Sequence, residues 1–277
     1  MTGAFKASLG AIVLLSCFTA GASAGPIEDA VAARLSGDYG SALRILRPLA
    51  DQGHAIAQSN LGFMYATGQG VPRDHAEAAK WYRLAAEQGR ANAQYNLGQM
   101  YAKGEGVPRN DAEAVKWLRA AAEQRHVPAQ YSLGNMYSAG RAVPRSDVEA
   151  TKWWRAAAEQ GDAQAQFSLG MAQANRLGIP KNVVEGAKWL RSAAEQGHTL
   201  AQSNLGLMYE KGDGVPQDYV LAYMWYNLAA SKGVLTATKN RENLVKRMMP
   251  TQITEAQKLT RDWKPIALPP QTPASPD

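Results

Sequence analysis

Apolar residues recur at helical intervals along most of the chain, and the whole arrangement returns every 36 residues. The stretch AQYNLGQMYAKGEGVP, residues 93–108, is apolar at the i, i+4 and i+7 positions of one helix face. Closely similar stretches begin at Ala57, Ala129, Ala165 and Ala201. A fixed period of this length predicts stacked helical units that share one continuous core.

Each repeat contains two helical segments separated by a turn. In the first copy Ala57, Leu61 and Met64 mark helix A, which gives way to glycine, valine and proline at 68–72. Helix B then runs to about Gln88 and ends before a glycine, the residue that favours a helix C-terminus. The pattern therefore predicts a helix-turn-helix in every copy.

The start of helix B has the residues of a capping box, in which a short polar side chain caps the helix and a glutamate three residues later returns the bond. The pairs are Asp74/Glu77, Asn110/Glu113, Ser146/Glu149 and Asn182/Glu185, and the fifth copy has Asp218 with Leu221. Four such pairs in register predict the same helix start each time.

A glycine follows the core leucine of helix A in every copy, although glycine within a helix costs about 1 kcal/mol relative to alanine. These glycines are Gly62, Gly98, Gly134, Gly170 and Gly206. Helix B carries a pair of alanines and a tryptophan, Trp81 in the first copy. Small residues on both helices predict a close approach of the two backbones, with the tryptophan filling the adjoining space.

The combined pattern, A-x-A-Q-x-x-L-G-x-M-Y-x-x-G-x-G-V-P followed by A-x-x-W-x-x-x-A-A-x-Q-G, resembles the Sel1-like repeat over about residues 37–233. This repeat is a relative of the tetratricopeptide repeat. The resemblance implies an all-α, right-handed α/α solenoid that serves as a protein-interaction scaffold. Exported bacterial members include periplasmic regulators, envelope assembly factors and secreted proteins that engage host cells.

The two ends of the array depart from the pattern and predict caps, as terminal repeats commonly do. Residues 25–53 form a capping repeat, residues 54–233 five full repeats, and residues 234–264 two capping helices separated at Pro250. Residues 265–277 are rich in proline and are expected to be disordered.

The first 24 residues have the order of a secretory signal peptide. Lys6 is their one charge, an apolar run covers 9–19, and Ala-Ser-Ala precedes the predicted cleavage after Ala24. The run is too short to span a bilayer, so no membrane span is predicted. The protein is therefore expected to be periplasmic or secreted. A lipid anchor on Cys17, or an apolar helix of the mature fold, is the alternative.

Removing this segment lowers the formal charge from +6 to +5 and removes the one cysteine. Because the remaining chain has no cysteine, it can have neither thiol catalysis nor a cysteine metal site. Basic residues do not alternate with aromatic ones in any run, so a nucleic-acid partner is not expected.

No catalytic, cofactor-binding or metal-binding residue is predicted. The G-x-S-x-G match at 21–25 spans the cleavage site and follows no strand, and S-x-x-K is absent. His54, His126 and His198 occupy one repeat position and lie too far apart to share a metal. His75 stands alone beside a cap.

The five recurrent tryptophans are assigned to the helix core rather than to a stacking surface for sugars or bases. They are Trp81, Trp117, Trp153, Trp189 and Trp225. Trp154 breaks the pattern and is predicted to be exposed, where it could anchor a partner.

One stripe of helix A varies between copies while its neighbours stay fixed. In solenoids the A helices usually line the concave surface, where partners bind. The predicted partner-binding residues are Asn60, Phe63, Asn96, Gln99, Ser132, Asn135, Ser168, Met171, Asn204 and Leu207. Their amide and hydroxyl groups favour recognition of a peptide. The alternative is drift on a solvated face.

The fourth repeat departs most from the others. Ala172 replaces the usual methionine, Gln173 the tyrosine and Arg176 the first turn glycine. We interpret this as a weak joint in the solenoid, and a specialised contact site is the alternative.

The sequence thus predicts an exported, monomeric scaffold, with no cofactor, that binds another protein as adaptor or regulator of an envelope or signalling process. A peptide or polysaccharide ligand remains open. The alternatives are a secreted factor that acts on another cell and a hydrolase of the β-lactamase type, against which the missing nucleophile motif argues.

Overall fold

The computed structural model describes residues 25–175 and 182–266, and within these ranges it contains fourteen helices and no strand. The helices are α1 Pro26–Leu35, α2 Tyr39–Asp51, α3 Ala55–Thr67, α4 His75–Glu87, α5 Ala91–Lys103, α6 Asp111–Glu123, α7 Val127–Ala139, α8 Asp147–Ala158, α9 Ala163–Asn175, α10 Val183–Glu195, α11 Thr199–Lys211, α12 Tyr219–Ser231, α13 Leu235–Val245 and α14 Pro250–Asp262. The predicted signal peptide with Cys17, the end of the tail from residue 267 and Arg176 lie outside the described residues. No helix in the described ranges is both long and apolar enough to cross a bilayer.

From α1 to α13 the helices stack in chain order, because each one contacts chiefly the helices before and after it, whereas α14 packs on α12. The A helices are α3, α5, α7, α9 and α11, and the B helices are α4, α6, α8, α10 and α12. In the middle of the array each apolar cluster joins a B helix to the A helix of the next repeat; Ala78 and Tyr82, for example, pack with Leu97 and Met100. Since the core lies at the junctions, one repeat cannot bury its apolar faces alone. This arrangement confirms the predicted all-α solenoid.

The intrahelical glycines lie where helices A and B of one repeat come closest, as predicted. A Cβ atom built at any of the five would stand 2.5 to 2.9 Å from a side chain of helix B. At Gly98 it would lie 2.9 Å from Leu118 Cγ and 3.3 Å from the carbonyl oxygen of Ala114. Any larger residue at this position would therefore require Leu118 to shift or the two helices to move apart.

The side chain that covers the glycine is not the tryptophan but the residue after it, so this part of the prediction is wrong. The covering residues are Tyr82, Leu118, Trp154, Leu190 and Tyr226. Trp154 consequently is buried, with 8% of its surface exposed, and its Nε1 donates to Asn135 Oδ1 at 3.0 Å. One residue is about 100° of helix rotation, which turns the recurrent tryptophans toward the edge of the layer. There Trp81, Trp117, Trp153 and Trp189 are half-buried, whereas Trp225 is buried.

Only one of the two hydrogen bonds of the predicted capping box forms at the start of helix B. The side chains of Asp74, Asn110, Ser146, Asn182 and Asp218 accept bonds from the first turn. The backbone N–H of each cap, however, donates to a carbonyl of helix A at 2.9 to 3.1 Å, Tyr65 in the first repeat. The glutamate of the expected box instead pairs with a lysine three residues on, as Glu113 does with Lys116. Leu221 is therefore tolerated in the fifth copy, because the glutamate is not needed for the cap.

Buried glutamines connect one repeat to the next. Gln94 of α5 is 6% exposed, and its Nε2 donates to Ala86 O at the end of α4 at 3.1 Å. Its Oε1 accepts from Gln124 Nε2 at the end of α6 at 2.7 Å. The same glutamine pair recurs as Gln58/Gln88, Gln130/Gln160 and Gln166/Gln196. We call this series the amide ladder. It ends at Gln202, because Lys232 occupies the position that would pair with it.

Two further helices and a short extended segment cover the C-terminal end of the array. Trp263 packs edge-on against Trp225, with ring centroids 6.2 Å apart. The N–H of Ile266 donates to Glu195 O at 2.8 Å, which returns the chain to α10. The described part of the predicted capping region therefore packs on the fifth repeat.

The fourth repeat lacks contacts that its neighbours make. Elsewhere an arginine of helix B donates to the tyrosine hydroxyl of the next helix A, as Arg119 does to Tyr137 at 2.5 Å. The equivalent residues Arg155 and Gln173 share no such bond, and the buried Gln173 Oε1 has no hydrogen-bond partner among the described residues. In compensation, Gly186 replaces the usual alanine of helix B and faces Gly170, so that α9 and α10 approach closely.

We expect α9 to open more readily than α5. Loss of the methionine and tyrosine removes roughly 2–4 kcal/mol of local apolar burial, and an unsatisfied buried amide oxygen adds to the loss. Hydrogen exchange measured by mass spectrometry should therefore be faster for residues 163–175 than for residues 91–103. The variant Gln173→Tyr, which restores the partner of Arg155, should slow the exchange of α9, and Gln173→Leu serves as its control without the hydroxyl. Equal protection of α5 and α9 in the unaltered protein would contradict the weak joint.

Candidate partner-binding site

All ten predicted binding residues lie on A helices. Phe63 is exposed, with 37% of its surface accessible, and the other nine are half-buried. Whether they bind a partner stays a prediction, but their positions show which of them can act together.

Three adjoining clefts run along the A helices of the first three repeats. The first has a volume of about 330 Å³ and is lined by Asn60, Phe63, Tyr95 and Asn96, among others. The second, about 300 Å³, shares Tyr95 and Asn96 with the first and adds Gln99. The third, also about 300 Å³, shares Gln99 and adds Ser132, Asn135 and Arg141. We call these three clefts together the A-helix groove.

The groove brings together the predicted residues of the first three repeats but not those of the last two. Ser168, Met171, Asn204 and Leu207 line none of its three clefts. Met171 and Leu207 pack instead against the apolar cluster at the C-terminal end of the array. A partner held in the groove would therefore contact the N-terminal half of the solenoid.

Several polar groups of the groove are already used within the protein. Gln99 Nε2 donates to Ser132 Oγ at 3.0 Å, which joins α5 to α7. Asn60 Nδ2 donates to the carbonyl of Ile56 at 2.9 Å, and Asn135 Oδ1 accepts from Trp154. These bonds fix the side chains and leave Asn60 Oδ1, Gln99 Oε1 and Asn135 Nδ2 available. Such a row of oriented amide groups can bond to the N–H and C=O groups of an extended peptide.

Arg141 lines the third cleft and forms an ion pair with Asp111. Its guanidinium donates to both carboxylate oxygens of Asp111, at 2.6 and 3.1 Å, and to Ala102 O at 2.8 Å. Arg141 and Arg109 together hold the pKa of the Asp111 carboxyl well below its usual range. Arg141 is therefore committed to the protein itself and offers little charge to a ligand.

The wall of the first cleft contains residues that the sequence pattern did not single out. Arg34 comes from the capping helix α1, and its guanidinium carbon lies 5.0 Å from the centre of the Phe63 ring. Arg90 and His126 come from the junctions that precede α5 and α7. A pattern within one repeat cannot find them, because the cleft is assembled from three successive repeats.

His126 is the N-cap of α7 and must be neutral there. Its Nδ1 accepts from the N–H of Ala129 at 3.2 Å, so the ring proton lies on Nε2, which is 3.0 Å from Asn92 Oδ1. Its ring centroid stands 4.9 Å from that of Tyr95. Burial lowers the pKa of His126 to about 4. His198 caps α11 in the same way, and burial lowers its pKa as well.

The fold and the groove are typical of α-solenoids that bind other proteins. The chain belongs to the Sel1 repeat family, whose model matches residues 55–89, 91–126, 127–162, 163–198 and 199–234. Sel1 repeats mediate protein–protein interaction, and proteins built from them are generally non-enzymatic scaffolds.

Two solved structures are similar over most of the chain. One is a protective antigen of uropathogenic Escherichia coli strains that displays an SLR fold, with 33% identity and a TM-score of 0.73. The match covers 85% of this chain but only 56% of that protein. The other is a Sel1 repeat protein from Oxalobacter formigenes, with 32% identity, a TM-score of 0.73, and coverage of 89% and 100%. A search of curated proteins found no significant match.

We expect His126 to make stability depend on pH. Its folded pKa, about 4, lies below the ordinary value of 6.5, so the unfolded chain binds more protons between these values. The stabilisation is therefore present above about pH 6.5 and is lost as the pH falls toward 4, by up to about 3 kcal/mol, because one unit of pKa corresponds to about 1.4 kcal/mol.

The matched variant is His126→Asn, because asparagine also caps a helix but does not titrate. Urea unfolding between pH 4 and 7 should show the unaltered protein losing stability relative to His126→Asn as the pH falls. His198 is present in both proteins and cancels in the difference. Parallel pH curves would contradict the role given to His126.

Proposed function

We propose that this protein is an exported scaffold whose A-helix groove holds a segment of another protein and so acts as an adaptor or regulator in the cell envelope. Its membership of the Sel1 repeat family supports the scaffold. The observation that carries the proposal is the groove itself, in which amide side chains from α3, α5 and α7 line three adjoining clefts. Amides so placed suit the backbone of an extended peptide.

The arrangement of the groove favours binding over catalysis. Ser132, the one predicted site serine in it, accepts a bond from Gln99. His126 uses Nδ1 for the helix cap and directs Nε2 to Asn92. A base needs a free ring nitrogen within hydrogen-bond reach of the nucleophile. Both ring nitrogens of His126 are engaged within the protein, so His126 is not placed to activate Ser132 or Ser59, which lines the first cleft with it.

Export is supported by the order of residues 1–24, with one charge, an apolar run and a small-residue cleavage site. The proposed mature chain begins at Gly25, one residue before α1. N-terminal sequencing of the exported protein should give Gly25 and no lipid. A start at Cys17, with extraction that depends on detergent, would overturn the cleavage and replace it with a lipoprotein.

A second candidate is a secreted factor that acts on another cell. It is supported by the 33% identity to a protein described as a protective antigen of uropathogenic Escherichia coli strains. Fractionation separates the two candidates, because an envelope adaptor should be recovered with the periplasm and a secreted factor with the medium.

We expect capture of the partner to depend on the groove. The double variant Phe63→Ala, Asn96→Ala removes an exposed ring and a side chain that makes no hydrogen bond among the described residues, so the fold should be kept. The matched control is Glu87→Ala, Glu123→Ala, on the exposed ends of α4 and α6.

Each protein is cross-linked to envelope extract, and bound proteins are quantified by mass spectrometry. A protein captured by the unaltered chain should fall at least tenfold with the groove variant and remain with the control. Equal capture by the two variants would show that the partner binds elsewhere on the solenoid.

A further inference from the structure

We propose that the first cleft of the A-helix groove selects an acidic peptide segment, whose carboxylate lies between Arg34 and Arg90. The inference rests on the proposed function and specifies the chemistry of the partner. The cleft is lined by Arg34, Ile56, Ser59, Asn60, Phe63, Arg90, Asn92, Tyr95, Asn96, His126 and Pro128. Two of these side chains are permanently cationic and none is acidic.

Both arginines are free to take a carboxylate. Neither forms an ion pair or a side-chain hydrogen bond within the described ranges, whereas Arg141 of the third cleft is held by Asp111. Arg34 Nε is buried and has no hydrogen-bond partner there. Arg34 and Arg90 both line the cleft, and a carboxylate is the group that a guanidinium binds with two parallel bonds.

The guanidinium of Arg34 is also held in position before any ligand binds. It lies over the ring of Phe63, at 5.0 Å from the ring centre. A cation over an aromatic face is attracted to it and loses part of its freedom. A pre-positioned planar guanidinium pays less entropy when it binds a carboxylate.

The remaining walls suit the peptide around the acidic side chain. Asn92 Oδ1 faces His126 Nε2, which leaves the Nδ2 of Asn92 as a donor. Asn96 makes no hydrogen bond within the described residues and offers both a donor and an acceptor. Ile56 and Pro128 provide apolar surface at the ends. The cleft therefore combines charge selection with contacts to peptide backbone and one apolar side chain.

Arg90 has no arginine counterpart at the equivalent junctions of the other repeats. The position of Arg90 is occupied by His54, His126, Asp162 and His198 in the other copies. Asp162 there caps α9 through a bond from the N–H of Ala165 at 2.7 Å. The chain itself therefore demonstrates that aspartate and histidine fit this junction, which provides variants that change the charge of the cleft without disturbing the fold.

The test is selection of a random ten-residue peptide display library on the mature protein, followed by sequencing of the bound peptides. The unaltered protein should enrich aspartate and glutamate at least threefold over the input library. Arg90→Asp should abolish that enrichment, Arg34→Gln should reduce it, and Arg90→His should give an intermediate value. Lys258→Asp, an equal change of charge on an exposed residue of α14, should leave the enrichment unchanged.

Other outcomes overturn the proposal and are distinct from failure of the proposed function. Selection of peptides with no acidic preference, or an acidic preference that survives Arg90→Asp, would mean that the first cleft does not select carboxylates. Groove-dependent capture of a partner would then still hold. Release of the selected peptides by a thymidine oligonucleotide at equal charge concentration would show a site for any polyanion. Thermal unfolding of each variant verifies its fold, and Arg90→His keeps the test valid if Arg90→Asp is unstable.

Discussion

The contact between the glycine of helix A and the middle of helix B sets the geometry of every repeat. At Gly98 and Gly134 the glycine faces both a large side chain of helix B and a backbone carbonyl, 3.3 and 3.1 Å from a built Cβ. Five glycines inside helices cost about 1 kcal/mol each, so the packing that they allow must recover more than this. The same close contact recurs in all five repeats, where a built Cβ would stand 2.5 to 2.9 Å from a side chain of helix B.

Repeats that pack closely within themselves still need to be joined, and the amide ladder supplies a directional connection. In the first four repeats the buried glutamine of helix A bonds to the end of the preceding helix and to a glutamine at the end of helix B of its own repeat, as Gln94 does with Ala86 O and Gln124. Buried amides are costly unless they are satisfied, so the ladder penalises any slip between repeats.

The sequence predicted the fold well, because period, caps and turn residues are short-range properties. The prediction that Trp154 is exposed was wrong. A shift of one residue on a helix moves a side chain from the core to the edge of the layer, and the alanine-rich sequence around Trp153 and Trp154 does not show which of them is in the core. The amide ladder could not be predicted, since the bonds of Gln94 to Ala86 O and to Gln124 depend on how α5 is placed against α4 and α6, which the repeat pattern does not give. The same limit applies to the groove. Its predicted residues lie on the A helices, whereas Arg34 and Arg90 reach the first cleft from a cap and a junction.

The measurement that tests this account most directly is a double-mutant cycle between Gly98 and Leu118, followed by urea unfolding. Gly98→Val should destabilise the protein by about 1–3 kcal/mol through overpacking, and Leu118→Ala by about 2–5 kcal/mol through loss of apolar contacts. Since Leu118 Cγ lies 2.9 Å from a Cβ built at Gly98, the smaller alanine should make room for the valine. The loss of stability in the double variant should then be smaller than the sum of the two single losses by about 1 kcal/mol or more. Additive losses, or an unchanged midpoint for Gly98→Val, would show that the glycine is not the contact that sets the repeat.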